Sequence, residues 1–246
     1  MIFTTSWDDG SIYDYKLLNL LKPLGIKGTL YIPKQTKYRT LDDIDVRNLS
    51  EYFEIGAHGI SHTDLTTLDK LHIIEEVSNS KIYIETITDK KCVIFGYPYG
   101  NFNTITEKVV KKSKFIGTRI VNKDFCEGSI LNDFNLPVTL QVCKHTKEIT
   151  TKFTASPSSA NSLSVPFLKK IQTFKLNEDN EYRWLNIAKF IYNEIKNQDG
   201  VFHLWGHSWE IEEQNLWDEL EAFLIFVLKF KPTIFIPNSE LFKLKR

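Results

Sequence analysis

The sequence predicts an α/β fold, a parallel sheet with helical crossovers closed into a barrel of seven or eight units. Three observations predict it. Short apolar, β-rich segments alternate with helical patterns almost from end to end, the pattern of parallel strands joined through helices. The chain has 246 residues, room for that many units in one domain spanning residues 1–246. The residues after the strands are polar, ionisable and set beside glycine, as expected where loops gather at the carboxyl ends of barrel strands.

Ile2–Ser6 reads as the first strand. Tyr13, Leu17, Leu20, Leu21 and Leu24 then follow helical spacing, and Gly25 stops that helix. Gly28–Pro33 is a second strand, 43–51 a weak helix and Phe53–His58 a third strand. The next helix is expected to carry Leu71, Ile74, Val77 and Ile84 on one face. Cys92–Phe95 is a short strand ending in a Gly/Pro turn, followed by a helix near Thr104–Lys112 and a strand at Phe115–Val121. Between 122 and 180 the rhythm breaks into an irregular insertion with one strand near Leu136–Val142. Trp184, Ile187, Ala188, Ile191 and Ile195 restore a helical stripe. Val201–Trp205 is a strand, 212–230 one long helix with Phe223, Leu224 and Val227 packing on the sheet, and Thr233–Pro237 a last strand.

Composition excludes several classes. With 42% apolar and 25% charged residues the chain is not disordered. Its 31 Lys+Arg balance 31 Asp+Glu, so no long-range field draws it to nucleic acid or an anionic membrane. The longest apolar run, Ala222 to Leu228, is far short of the ~20 residues of a membrane span. Cys92, Cys126 and Cys143 are odd in number and lack C-x-x-C spacing, which fits neither a disulfide framework nor a cysteine zinc site. Two acids within the first nine residues do not suit a secretory leader. A cytoplasmic protein is expected.

The strand ends carry the chemistry. Asp8, Asp9 and Gly10 follow the first strand, and His58 and His62, framed by Gly56 and Gly59, follow the third. Gly96-Tyr97-Pro98-Tyr99-Gly100 follows the fourth, and His203 and His207 end the late one. Asp9, His58 and His62 form an Asp/His/His set suited to zinc and its divalent neighbours, with coordination positions left open for water and substrate. Adjacent side chains at a strand end diverge, so one member of the Asp8-Asp9 pair can bind metal while the other faces the water as general base.

Ser6-Trp7-Asp8-Asp9-Gly10, His58-Gly59-Ile60-Ser61-His62 and Tyr97-Pro98-Tyr99-Gly100 resemble, in order, the first three motifs of the polysaccharide deacetylases, the NodB-homology carbohydrate esterases. Trp205-Gly206-His207 stands where the family's final Leu-x-His would fall. The resemblance implies a distorted (β/α) barrel of about seven units that removes an acyl group, usually N-acetyl, with a divalent metal. Zn²⁺ is the first expectation, with Co²⁺, Mn²⁺, Fe²⁺ and Ni²⁺ as alternatives. It implies Asp8 as general base, Asp9, His58 and His62 as ligands, the Tyr99 backbone N–H at the oxyanion and His207 as general acid.

Three departures stand out. Gly96 replaces the family's arginine, which pairs with the catalytic aspartate, and Arg119 is the candidate to take over. His203 competes with His207 for the acid role, although only His207 lies two residues after a large apolar side chain. The family's aspartate–tryptophan motif is absent from the middle of the chain. Tyr97, Trp205 and Trp209 are candidate sugar contacts. The expected substrate is an acylated carbohydrate, a nucleotide- or lipid-linked sugar precursor. Hydrolysis of another C–N bond, as in a cyclic amide or ureide, and a non-catalytic carbohydrate binder are the alternatives.

Overall fold

The computed structural model describes residues 1–121, 134–144, 184–196, 200–230 and 233–244. Most of the 122–180 insertion, including Cys126, lies outside them. Nine strands are described, β1 (Ile2–Asp8), β2 (Thr29–Ile32), β3 (Glu54–Ala57), β4 (Ile94–Gly96), β5 (Gly117–Arg119), β6 (Asn135–Leu136), β7 (Leu140–Gln141), β8 (Val201–Gly206) and β9 (Ile234–Phe235). Every pairing among them is parallel. The helices are α1 (Asp14–Leu21), α2 (Asp43–Leu49), α3 (Lys70–Thr88), α4 (Thr104–Lys112), α5 (Trp184–Ile195), α6 (Ser208–Glu213), α7 (Trp217–Leu228) and α8 (Asn238–Lys243).

The strand order is β6-β5-β4-β3-β2-β1-β8-β7, with β9 beside β1. The two ends of that order are neighbours in sequence, because only residues 137–139 separate β6 from β7. Ile120 N donates to Leu136 O at 3.0 Å on one side. Thr139 N and Val142 N donate to His203 O and Trp205 O at 2.8 Å on the other. One pass of chain therefore joins both sheet edges, and the sheet closes into a barrel of seven staves. Pro137 sits at the changeover, where a residue without an N–H costs no ladder bond.

Alternation along β1 separates two cores. Phe3 and Trp7 face outward into the layer of helices, with Leu17, Leu21, Phe202, Phe223 and Val227. Ser6 and Asp8 face the lumen, where a second cluster of Tyr31, Ile94, Leu136, Leu241 and Phe242 fills the barrel. Glycines make that filling possible. A Cβ on Gly117 would stand 2.2 Å from the Phe242 ring, and one on Gly56 would stand 2.6 Å from that of Tyr31.

Two helices differ from expectation. On α3 the buried face is Ile73, Val77, Ser80, Ile84 and Ile87, while Leu71 is 64% exposed and Ile74 39% exposed. Spacings of four and three keep the buried set in register, and Leu71 and Ile74 fall outside it. The segment 212–230 is two helices rather than one. Asn215 adopts a left-handed conformation (φ 55°). Asn215 N donates to Glu212 O at 3.1 Å and Leu216 N to Ile211 O at 3.0 Å. This is a Schellman ending, with Asn in the place usually taken by Gly. No described helix is long and apolar enough to cross a membrane.

Candidate active site

Asp8 is the last residue of β1, and both it and Asp9 are almost fully buried. Asp9 and Gly10 then take left-handed backbone in succession (φ 79° and 70°). That turn sends the two neighbouring carboxylates apart. Asp8 stays in the lumen and Asp9 swings over the mouth, toward the loop after β3. The strain of a left-handed aspartate is concentrated where the chemistry is. His62 (φ 55°) and Tyr99 (φ 58°) share it.

His58 and His62 complete a three-residue group with Asp9, whose ligand atoms all lie within 4.8 Å of one another. His58 Nδ1 lies 2.7 Å from Gly96 O. A carbonyl can only accept, so Nδ1 carries the proton and Nε2 is left bare as a ligand. Burial lowers the His58 pKa to about 3 despite the opposing pull of Asp8, and it lowers that of His62 as well. Both rings are thus neutral donors. His62 Nε2 stands 3.3 Å from Asp9 Oδ1, a buried oxygen without a hydrogen-bond partner among the described residues. That spacing matches one edge of a tetrahedral ion site with bonds near 2.0–2.1 Å. The residues present fit a divalent cation.

Asp8 meets a different partner. Arg119, fully buried, donates from a guanidinium nitrogen to Asp8 Oδ2. Burial by itself would raise Asp8, but Arg119, with help from His58 and His207, outweighs it and holds the carboxyl below its usual range. The guanidinium packs 4.8 Å from the Tyr31 ring centre and 5.6 Å from that of Trp205. Gly96 and Arg119 are cross-strand partners in the β4–β5 ladder. A Cβ on Gly96 would lie 2.9 Å from the Tyr31 ring and 3.1 Å from His58 Nδ1. The lumen at β4 is already occupied by Tyr31, and the arginine enters one strand over.

The two late histidines have different surroundings. His203 is buried, with Nδ1 donating to Pro137 O at 2.9 Å and Nε2 accepting from Ser6 Oγ at 2.8 Å. Burial lowers its pKa to about 3, so it ties strands together as a neutral ring. His207 reaches the mouth, with Nε2 4.0 Å from Asp9 Oδ2. Its Nδ1 donates to Glu210 Oε2 at 3.2 Å. Burial pulls its pKa down, but Glu210, Asp8 and Asp9 together raise it above the ordinary value. Gln141 and Gln214 each donate to Glu210, at 2.9 and 3.1 Å.

The aromatic candidates divide. Tyr97 is fully buried between Phe95 and Phe102 and does not reach the mouth, because the left-handed turn comes two residues later. Tyr99 is 66% exposed, its ring 4.8 Å from that of His62. Trp205 is buried and walls off His207, ring centres 5.6 Å apart. Trp209 Nε1 donates to Asp9 Oδ2 at 3.1 Å. Sequence reasoning missed Glu210, although its i, i+3 spacing from His207 was a signal. It also missed Asp14, whose Oδ1 accepts from Ser208 Oγ at 2.6 Å; nothing local marked that contact, 194 residues apart in sequence.

One mouth of the parallel barrel thus gathers an arginine-paired carboxylate, an Asp/His/His set and a carboxylate-bound histidine. Residues 2–117, the segment that carries Asp8, Asp9, His58 and His62, match the polysaccharide deacetylase family. A chitin deacetylase from a Pestalotiopsis species is 31% identical over 106 residues, 42% of this chain and 36% of that one. The match thus spans about a third of that curated relative. The fold is shared with a polysaccharide deacetylase candidate from Mycobacterium smegmatis, at 14% identity and TM-score 0.67 over 98% of this chain and 89% of that one. It is shared too with a family 4 acetyl xylan esterase from Clostridium thermocellum solved with a cobalt ion, at 15% identity and TM-score 0.58 over 100% and 92%.

Proposed function

We propose that the chain is a metal-dependent hydrolase that removes an N-acetyl group from a carbohydrate, a sugar or polysaccharide precursor. One observation carries the reading. The unpartnered Asp9 Oδ1, with His58 and His62, faces the same mouth as an arginine-held Asp8 and a glutamate-held His207. A divalent cation bound by Asp9, His58 and His62, with zinc as first choice, supplies Lewis acidity at the acyl carbonyl. Asp8, kept ionised by Arg119, takes the proton of the attacking water. The backbone N–H of Tyr99 donates to the oxyanion that develops at the acyl carbon. His207, its tautomer fixed by Glu210, passes a proton to the leaving amine. Acetate and a free amine result.

The Arg119–Asp8 pair supports catalysis over the non-catalytic binder, since it keeps Asp8 ionised, the state in which a carboxylate can take a proton. Cys92 and Cys143 are buried free thiols, which supports a cytoplasmic setting. The test is metal content after chelator-free purification, followed by acetate release from N-acetylated sugars, nucleotide sugars and cyclic amides. Acetate from sugars supports the proposal; ammonia or ring opening, or bound metal without turnover, overturns it.

A further inference from the structure

We infer that Trp209 is a positioning residue for Asp9, its indole N–H deciding which carboxylate oxygen is offered to a divalent cation. The inference rests on the metal-hydrolase reading above. Asp9 has two oxygens in different situations. Oδ2 accepts from Trp209 Nε1 at 3.1 Å, whereas Oδ1 has no hydrogen-bond partner among the described residues and lies 3.3 Å from His62 Nε2. An indole N–H is a donor only, so it occupies one oxygen without competing for a cation. A carboxylate tied at one oxygen can no longer rotate freely, and its other oxygen is held toward the two imidazoles.

The indole is itself held. Tyr38 stacks on it with ring centres 4.3 Å apart and planes 3° from parallel. His207 covers it obliquely at 5.1 Å and 36°. Tyr38 belongs to the loop after β2, which is fastened at both ends. Gln35 N donates to Ile60 O at 2.7 Å, in the very loop that carries His58 and His62. Arg39 donates to the carbonyls of Leu41 and Pro33 at 3.1 and 3.2 Å. Two loops that begin on different strands thus meet on Asp9 through one side chain. An aromatic ring beside a saccharide site serves as a stacking face in the ordinary case; here the N–H edge is committed to the ligand carboxylate and one face to Tyr38.

Trp209→Phe separates the two roles, because phenylalanine keeps an aromatic face but has no donor. Chelator-treated parent and variant chains are titrated with Co²⁺ and Zn²⁺ by calorimetry, with the Co²⁺ absorption spectrum and thermal midpoint of each recorded. The variant is expected to bind both ions about 10–100-fold more weakly, with a changed Co²⁺ spectrum and a similar apo midpoint. Tyr38→Ala, which frees the indole but spares its N–H, is expected to weaken the ions by a smaller factor, and it carries the test if the Phe variant does not fold. Affinities unchanged in both variants, with only KM for an acylated sugar raised, overturn the inference and make Trp209 a sugar platform. A parent chain that binds neither ion overturns the metal reading together with it.

Discussion

At the scale of the residue, Arg119 is the expensive one. Its side chain is fully buried, and two of its three nitrogens lack a hydrogen-bond partner among the described residues. Such a charge persists only where something requires it, and the requirement visible here is Asp8. Arg119→Met should therefore destabilise the protein by about 3–5 kcal/mol, because Asp8 would remain as an uncompensated buried charge. Adding Asp8→Asn should restore much of that loss, and a denaturant double-mutant cycle reads the coupling. Asp8→Asn alone should lower kcat by about 10²–10⁴-fold, the usual value of a general base, and leave Co²⁺ affinity intact. Equal loss of ion binding would mean that Asp8 is a ligand. Glu210→Gln keeps the contact to His207 but not the charge; kcat should fall about 10-fold or more with KM unchanged, as expected when only the proton-transfer step is weakened.

Elements explain where that arginine comes from. Gly96 on β4 stands where the resembling family has its arginine, and the residue that excludes a side chain there is Tyr31, on β2. Gly96→Ala should cost about 1–3 kcal/mol through overpacking of the lumen, and it should weaken ion binding, since the new Cβ lies 3.1 Å from His58 Nδ1. Tyr31→Leu in the same chain should relieve part of the cost; additive thermal shifts would refute the account. The same comparison marks how far the sequence was legible. Strand positions, the α4 limits and the Asp/His/His set followed from periodicity and from what sits after each strand. The Tyr31–Gly96 fit, the joining of both sheet edges through residues 135–141 and the burial of Tyr97 did not, because each depends on which strands become neighbours around the barrel. The split of 212–230 and the Glu210 contact to His207 had local causes instead, an asparagine that accepts left-handed backbone and an i, i+3 spacing.

For the molecule as a whole, the β1–α1 and β8–α6 connections, far apart in sequence, are pinned together by Asp14 at the start of α1 and Ser208 at the start of α6. The start of a helix favours a negative carboxylate by roughly 0.3–1 kcal/mol, yet burial wins and raises the Asp14 pKa to about 8, with Asp9 and Asp8 adding to it and Ser208 and His207 opposing. The unfolded value is 3.8. Between those limits the unfolded chain has released this proton and the folded chain retains it, so the folded state binds more protons and stability falls as pH rises. Asp14 thus lowers stability progressively from about pH 4 to pH 8, by at most about 1.4 kcal/mol per pH unit, and adds no slope beyond either end. Asp14→Asn removes the titration and retains an oxygen to accept from Ser208. In chelator-treated protein, urea unfolding at pH 5, 6, 7 and 8 should show the variant gaining on the parent at each step, with the largest advantage at pH 8. Parallel stability curves would mean that Asp14 is ionised in the folded protein, and that its free oxygen has a partner such as water.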